Sequence, residues 1–457
     1  MATDCIKQLT FRFHKKIKPV VARFDLPQAS SDGGALLLKQ VDQRLGLTER
    51  LAAGLLERRQ PGKVRHELIE LLRQRIYGIA CGYPDCNDAA RLVHDPIHKL
   101  LLGRDPIQGE ALASQPTLSR FENGRERNSL YRLSVTLADT VIEQHRRRLR
   151  GHAQCVTVDL DPTDDPTHGQ QEVAFFHGFY GNWCYLPVVA TVSFNQESEQ
   201  YLVANVLRPG NSSTRQGAIP VLKRLLIRLR GAFPGAPLLV RLDAGYADPQ
   251  TLDFLESQGV QYVVALPSNS RLEKRVRRLM GKARMRSRAS GQSERLYGET
   301  RYATRHWSHR RRVIMKAEVL RHPERAPKDN PRFVVTNLRD HPEAVYQLYC
   351  QRGDMENRFK ELQYGLQMDR TSCHRFWANQ FRLLLTAAAY VLMQELRRRT
   401  PDPRLRRAQV NTLRDRLIKL AAWVEPSVRR VVVHLAQDFP WRTSWRWIAC
   451  AVGASPG

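Results

Sequence analysis

The spacing of apolar residues changes near residue 153, and that change limits what the chain can fold into. Before it the period is helical: Leu68, Leu72, Ile76 and Ile79 recur on one face, as do Leu130, Leu133, Leu137 and Val141. After it Val156, Val158 and Leu160 alternate with Cys155, Thr157, Asp159 and Asp161, which is the period of a strand with acids on one face. Strand-like runs follow at 185–194, 201–207, 238–242 and 261–266, with helical stretches at 217–230 and 249–258. Strands in succession, then helix, strand, helix and strand, imply a mixed α/β sheet with helices packed on it.

Charge narrows the partner. With 73 Lys and Arg against 45 Asp and Glu, the net charge is +28. A polyphosphate backbone would balance such a surplus, so nucleic acid is the expected partner class. Apolar residues at 42% argue against a disordered chain. The longest apolar run, 383–393, is too short to span a bilayer and is expected to be a buried helix; no membrane role is expected. No apolar leader stands at the start, and the eight cysteines are scattered without a C-x-x-C pair. Reduced, structural cysteines in a cytoplasmic protein are the expectation.

Two basic segments stand out. Ser114 suits a helix N-cap and Pro116 its first turn, so a helix should begin here with Gln115, Ser119 and Arg120 exposed. Those residue types touch bases and phosphates, although an ordinary capped surface helix would look the same. Residues 271–312 hold fifteen Lys or Arg against three Glu, too lopsided for a folded core, and strand-like stretches resume at 313–320 and 333–337. Trp307 lies among these cations, where its ring could stack on an unpaired base or pack in the inserted sheet.

Cutting a phosphodiester calls for an activated water and for neutralisation of the charge that builds on the phosphate. Paired Mg²⁺ ions about 4 Å apart, held by carboxylates from separate elements, supply both. Asp161 ends the first strand and Asp243 ends the 238–242 strand, the edge at which α/β sheets place their ligands. Asp159 shares the strand face with Asp161 and is an alternative first acid; Asp164 and Asp165 lie in the same tract, and an Asp before Pro162 could equally form a turn. The third acid follows from helix geometry. At about 100° per residue, Tyr349, Arg352, Glu356 and Lys360 form one narrow stripe, beside an apolar stripe of Leu348, Met355, Phe359 and Leu362. Asp354 and Glu361 point away from both. Glu356 therefore sits where core meets cleft, although a plain ion pair with Arg352 or Lys360 is the alternative.

Y-x-x-R-x-x-x-E followed four residues later by Lys resembles the signature helix of bacterial insertion-sequence transposases of the DDE, RNase H-like class. The segments DPTHGQQE, HGFYGNWCYLP, LRPGN, GYPDCNDAARLVHDP, SQPTLSRFEN and FWANQFRLLLTAAAY resemble the IS thirteen-eighty family, over about 33–400. The resemblance implies an RNase H-like core whose metal-binding catalytic acids are Asp161, Asp243 and Glu356, with a β-rich insertion between the second and third. It also narrows the partner to double-stranded DNA, and implies Mg²⁺ as cofactor with Mn²⁺ as a possible substitute, a homodimer on paired DNA ends, and a bacterial, nucleoid-associated enzyme. Relatives often carry Lys seven residues after the Glu; here that position is Gln363, and Lys360 lies on the same stripe. The expected division is a helical DNA-binding region at 1–150, core at 151–270, basic and β-rich insertion at 271–341, core with signature helix at 342–400, and a helical basic tail at 401–457. Tyr349, Arg352, Lys360, Arg120 and Trp307 are the expected DNA contacts.

Overall fold

The computed structural model describes residues 8–13 and 18–455. Seven α-helices precede the principal sheet: α1 (Leu36–Leu45), α2 (Leu47–Ala53), α3 (Leu68–Cys81), α4 (Cys86–Arg91), α5 (Pro96–Leu101), α6 (Gln115–Asn123) and α7 (Arg127–Arg148). The apolar spacing that marked α3 and α7 is the spacing they bury: Leu72, Ile76 and Ile79 in one, Leu130, Leu133, Leu137 and Val141 in the other. Helix α3 is bounded as its sequence requires. A reciprocal capping box of Glu67 and Glu70 opens it, and Gly82 closes it at φ 94°, a left-handed conformation that favours glycine. Ser114 stands at the N-cap of α6 as expected.

The principal sheet has nine strands. They include β1 (Val156–Pro162), β2 (Val188–Phe194), β3 (Tyr201–Val206), β4 (Leu238–Leu242), β5 (Gln261–Leu266), β6 (Glu294–Tyr302), β7 (Arg311–Leu320) and β8 (Arg332–Thr336); the ninth is the short pair Lys328–Asp329. The spatial order is β6-β7-β8-β5-β4-β1-β2-β3. Strands β1, β4 and β5 run parallel, while β2 and β3 return antiparallel. The five strands β3-β2-β1-β4-β5, three meandering and two added in parallel on the far side, are the RNase H-like arrangement that the resemblance implied. Helices α8 (Ala218–Ala232) and α9 (Pro249–Ser257) make the crossovers.

Strand alternation assigns the two faces. Tyr262, Val240, Leu242 and Val158 enter the large core, which continues into the N-terminal helices. Leu239 and Val263 enter a smaller core with Val345 and Tyr346 of α11 (Pro342–Cys350). By the same alternation Asp159, Asp161, Arg241 and Asp243 face the α11 side. Helix α13 (Phe376–Arg399), buried from Ala378 to Arg397, packs against α1, α3, α7 and β3, so the helical region and the sheet share one core.

Three expectations need correction. The basic segment does not stay outside the fold: it forms α10 (Ser270–Ser290) and β6, because its sparse apolar residues recur at helical spacing and pack on β6 and β7. The strands of the 271–341 segment continue the core sheet, β8 pairing antiparallel with β5. The expected 185–194 strand is split at Leu186-Pro187, since Pro lacks the N–H a ladder needs, and Asn182–Tyr185 pairs instead with Asp165–Pro166 and Phe175–His177. The tail is not wholly helical: Ala422–Pro426 and Val431–Leu435 form a hairpin paired to Ala29 and Ser30. Its β-branched run, VVVHL, is the local signal for that hairpin. The seven cysteines among the described residues are all free, and no helix there is long and apolar enough to cross a membrane.

Candidate active site

The first two expected acids stand side by side. Strands β1 and β4 are parallel neighbours in the register Leu160↔Leu242, so Asp161 and Asp243 are the next residues on adjacent strands, at the sheet's carboxyl edge. Every residue of β4 is buried, which fixes its path. Asp243 then turns the chain, accepting the Gly245 N–H at 3.0 Å. A Cβ at Gly245 would lie 2.6 Å from Thr214 Cγ2, so only glycine lets this turn pack so closely.

Arg352, from a 3₁₀ turn between α11 and α12 (Asp354–Lys360), reaches Asp161 at 2.6 Å. Both side chains are largely buried, and their surroundings perturb them. Burial pushes the Asp161 carboxyl up to about 7; Arg352 opposes this and the neighbouring Asp243 adds to it. Asp243 is likewise raised by burial against the pull of Arg352. The Tyr349 hydroxyl is raised by burial too, with Arg352 opposing and both acids contributing. Two carboxylates in a dry site with one guanidinium leave the pocket short of positive charge. Hard oxygen donors short of positive charge suit a divalent cation such as Mg²⁺.

Asp159 is differently placed. It is fully buried, and Arg241 holds both its oxygens in a two-pronged pair, each at 2.7 Å, while Gln200 donates to it at 2.9 Å. Arg241 sits directly opposite Asp159 in the ladder. With both oxygens engaged, Asp159 acts as the counter-ion of a buried arginine. Asp165 is also buried and accepts from Thr371 at 3.0 Å, and burial raises its pKa well above the ordinary range.

The signature helix departs from one uniform period. An α-helical stretch, a 3₁₀ turn at Gln351–Gly353, α12 and a π-turn at Glu361–Gly365 follow in sequence. Met355 and Leu362 are buried as the projection required, and Met355 meets Thr191 of β2. Glu356 and Lys360 are exposed. The alternative ion pair between Glu356 and Arg352 is not made, since Arg352 is committed to Asp161. Glu361 does not point to solvent as projected. The π-turn shifts the period and α13 covers that side, so Glu361 is buried and bound by Tyr390, Arg397 and Arg358. Gln363 does not replace a phosphate-binding lysine: it donates to Thr163 Oγ1 at 3.1 Å and to the Asp164 carbonyl at 3.0 Å, fastening the loop after Asp161.

Arg120 is exposed on α6 and lines a cavity of about 710 Å³ with Arg58, Arg59, Lys63, Arg65 and Arg125. Trp307 is only 7% exposed. Its ring meets Tyr302 edge-on at 5.7 Å and carries the Arg311 guanidinium at 5.3 Å, which is the packing alternative and not a free stacking surface. Sequence reasoning missed Arg241, although an arginine inside the apolar strand LLVRL was a usable signal: a buried cation demands a buried anion nearby. It also missed the network in which Arg358 and Arg397 bridge Glu361 and Glu199.

A search of curated proteins finds no match to this chain. A family model described as transposase DDE domain, group 1, matches residues 13–452. That match runs through every element described above, including the paired strand ends and the helix that brings Arg352 to Asp161. The chain belongs to the DDE transposase family, enzymes that cleave and transfer DNA with divalent metal.

Proposed function

We propose that this transposase binds the terminal inverted repeats of an insertion element of the IS thirteen-eighty type, cuts the ends and joins them to target DNA. The observation that carries the reading is the meeting of Asp161 and Asp243 on adjacent parallel strands with Arg352 from the signature helix. Asp161, Asp243 and Glu356 are the proposed metal ligands. Mg²⁺ ions held there, with Mn²⁺ as a substitute, would lower the pKa of a bound water and neutralise charge on the scissile phosphate.

The chain's own residues have separable parts. Arg352 neutralises Asp161 while the acids stand without metal, and it would be released to hold a phosphate oxygen once a cation took over that role. Tyr349 and Lys360, on the same stripe, position the backbone. Glu356 is exposed and makes no salt bridge among the described residues, and its carboxylate is the third we assign to the site. In the first step water adds to phosphorus and the P–O3′ bond breaks, leaving a 3′-hydroxyl on one side and a 5′-phosphate on the other. In the second, that 3′-hydroxyl attacks a target phosphodiester and displaces a target 3′-oxygen, so the number of phosphodiester bonds is conserved. The helical region at 1–150 recognises the ends through α6 and Arg120, the segment 271–341 is the insertion, and two copies pair two ends. A bacterial cytoplasmic setting, close to the nucleoid, follows from that role.

The test is a paired-end assay with Mg²⁺ and a target plasmid. Asp161→Asn, Asp243→Asn and Glu356→Gln should each reduce cleavage and strand transfer to background while DNA binding persists. Full Mg²⁺-dependent cleavage by Glu356→Gln would remove it from the ligand set. Cleavage by the intact enzyme without joining would restrict the function to a nuclease.

A further inference from the structure

Helix α10 has one buried stripe, Leu272, Val276, Met280, Ala283 and Ser287, packed on β6 and β7. The rest of its surface carries nine cations and a single acid, Glu273. At about 100° per residue, Arg271, Lys274, Arg278 and Lys282 fall opposite the buried stripe, and Arg286 continues their i,i+4 row along its flank. They form an exposed row, roughly 22 Å long at 1.5 Å per residue. Arg284 on the flank is paired with Asp329, and Arg275 with Thr300 and a backbone carbonyl. Among the described residues, none of the five in the row makes a salt bridge. Lys274, Arg278, Lys282 and Arg286 are successive i,i+4 neighbours of like charge, which repel one another. A folded chain gains nothing from this arrangement by itself; a polyanion laid along the row would relieve it.

Position points to the same partner. Helix α10 leaves from the carboxyl end of β5, and β5, β4 and β1 are adjacent parallel strands. Its first turn therefore opens at the sheet edge that carries Asp161 and Asp243, roughly 10 Å along by strand spacing. We propose that α10 is a rail for the backbone of duplex DNA running away from the cleaved bond, touching phosphates and reading no bases. This rests on the DNA-cleaving function proposed above and adds the surface that holds the flanking duplex.

The test compares the full chain with Arg278→Gln/Lys282→Gln/Arg286→Gln, which leaves the buried stripe intact; circular dichroism verifies the fold. Affinity for a random-sequence duplex is measured across a salt series. Loss of three phosphate contacts should flatten the log–log salt dependence by about 2.7, so that between 50 and 200 mM salt the parent loses about 40-fold more affinity than the variant. An unchanged slope overturns the rail. Asp161→Asn, run in parallel, should keep the parental slope and lose cleavage. A parent that binds steeply but never cuts would sink the catalytic reading alone, whereas a cutting parent whose triple variant shows the same slope sinks the rail alone.

Discussion

Asp159 and Asp161 lie two residues apart on one strand face, and the structure predicts opposite responses when each becomes an amide. Asp159→Asn withdraws the charge that balances Arg241, a residue 3% exposed. Breaking a buried pair by removing one partner costs about 3–5 kcal/mol, and the lower end applies here because the amide oxygen still accepts a bond. At roughly 2.1 cal/mol/K of unfolding entropy per residue, a chain of 457 residues shifts by about 1 °C per kcal/mol, so the melting temperature should fall by about 3 °C. Asp161 works the other way. Its carboxyl is pushed from 3.8 to about 7, so between those pH values the native chain keeps a proton that the unfolded chain has released. Stability therefore falls as pH rises through that window and is lowest above it, by an amount on the order of 4 kcal/mol. Asp161→Asn removes this burden and should hold or raise the melting temperature of the metal-free protein at pH 8. Added Mg²⁺ should stabilise the parent increasingly with pH and leave Asp161→Asn unmoved. Thermal melts across pH with and without Mg²⁺, beside a cleavage assay run below both melting points, separate the cases. Asp159→Asn should still cut, and Asp161→Asn should not. An Asp159→Asn protein with parental stability and no activity would refute the assignment and move the first ligand two residues upstream.

Other expectations are simpler to read. Arg120→Ala removes an exposed side chain whose one hydrogen bond among the described residues is to Thr117, so stability should be unchanged while duplex binding weakens; unaltered binding would take α6 out of the interface. Trp307→Ala should cost about 3–5 kcal/mol as a buried large-to-small change, and cleavage at low temperature should survive; normal stability with lost cleavage would restore the stacking role. Arg397→Ala removes one of the two cations shared by Glu361 and Glu199 and leaves them Arg358 alone. It should destabilise by about 3–5 kcal/mol, seen as a lower midpoint in urea, and a neutral result would show that the network is dispensable.

Much of the core was legible because its rules are local. Strands β4 and β5 fell on the residues their apolar runs marked, and Asp161 and Asp243 could be placed at strand ends without knowing which strands were neighbours. What was hidden depends on partners far along the chain. Nothing near Asp159 in sequence distinguishes a ligand from a counter-ion; that is decided by Arg241, eighty-two positions away. Glu361 was projected outward because a uniform period was assumed, and the π-turn together with α13 reverses it. Helix α10 was obscured by its charge: composition over the whole segment concealed the five small or apolar residues that recur at helical spacing.

The pairing of Asp161 with Arg352 joins residues 191 positions apart. A ribosome adding about 5–20 residues per second needs roughly 10–40 s to pass from one to the other. Throughout that interval the emerging chain already exposes its cationic N-terminal helices, while the helix that completes the centre does not yet exist. Because α13 follows that helix and closes the core of the N-terminal helices, a product that stops early lacks both the packing of those helices and the arginine of the centre, so incomplete synthesis yields no stray cuts.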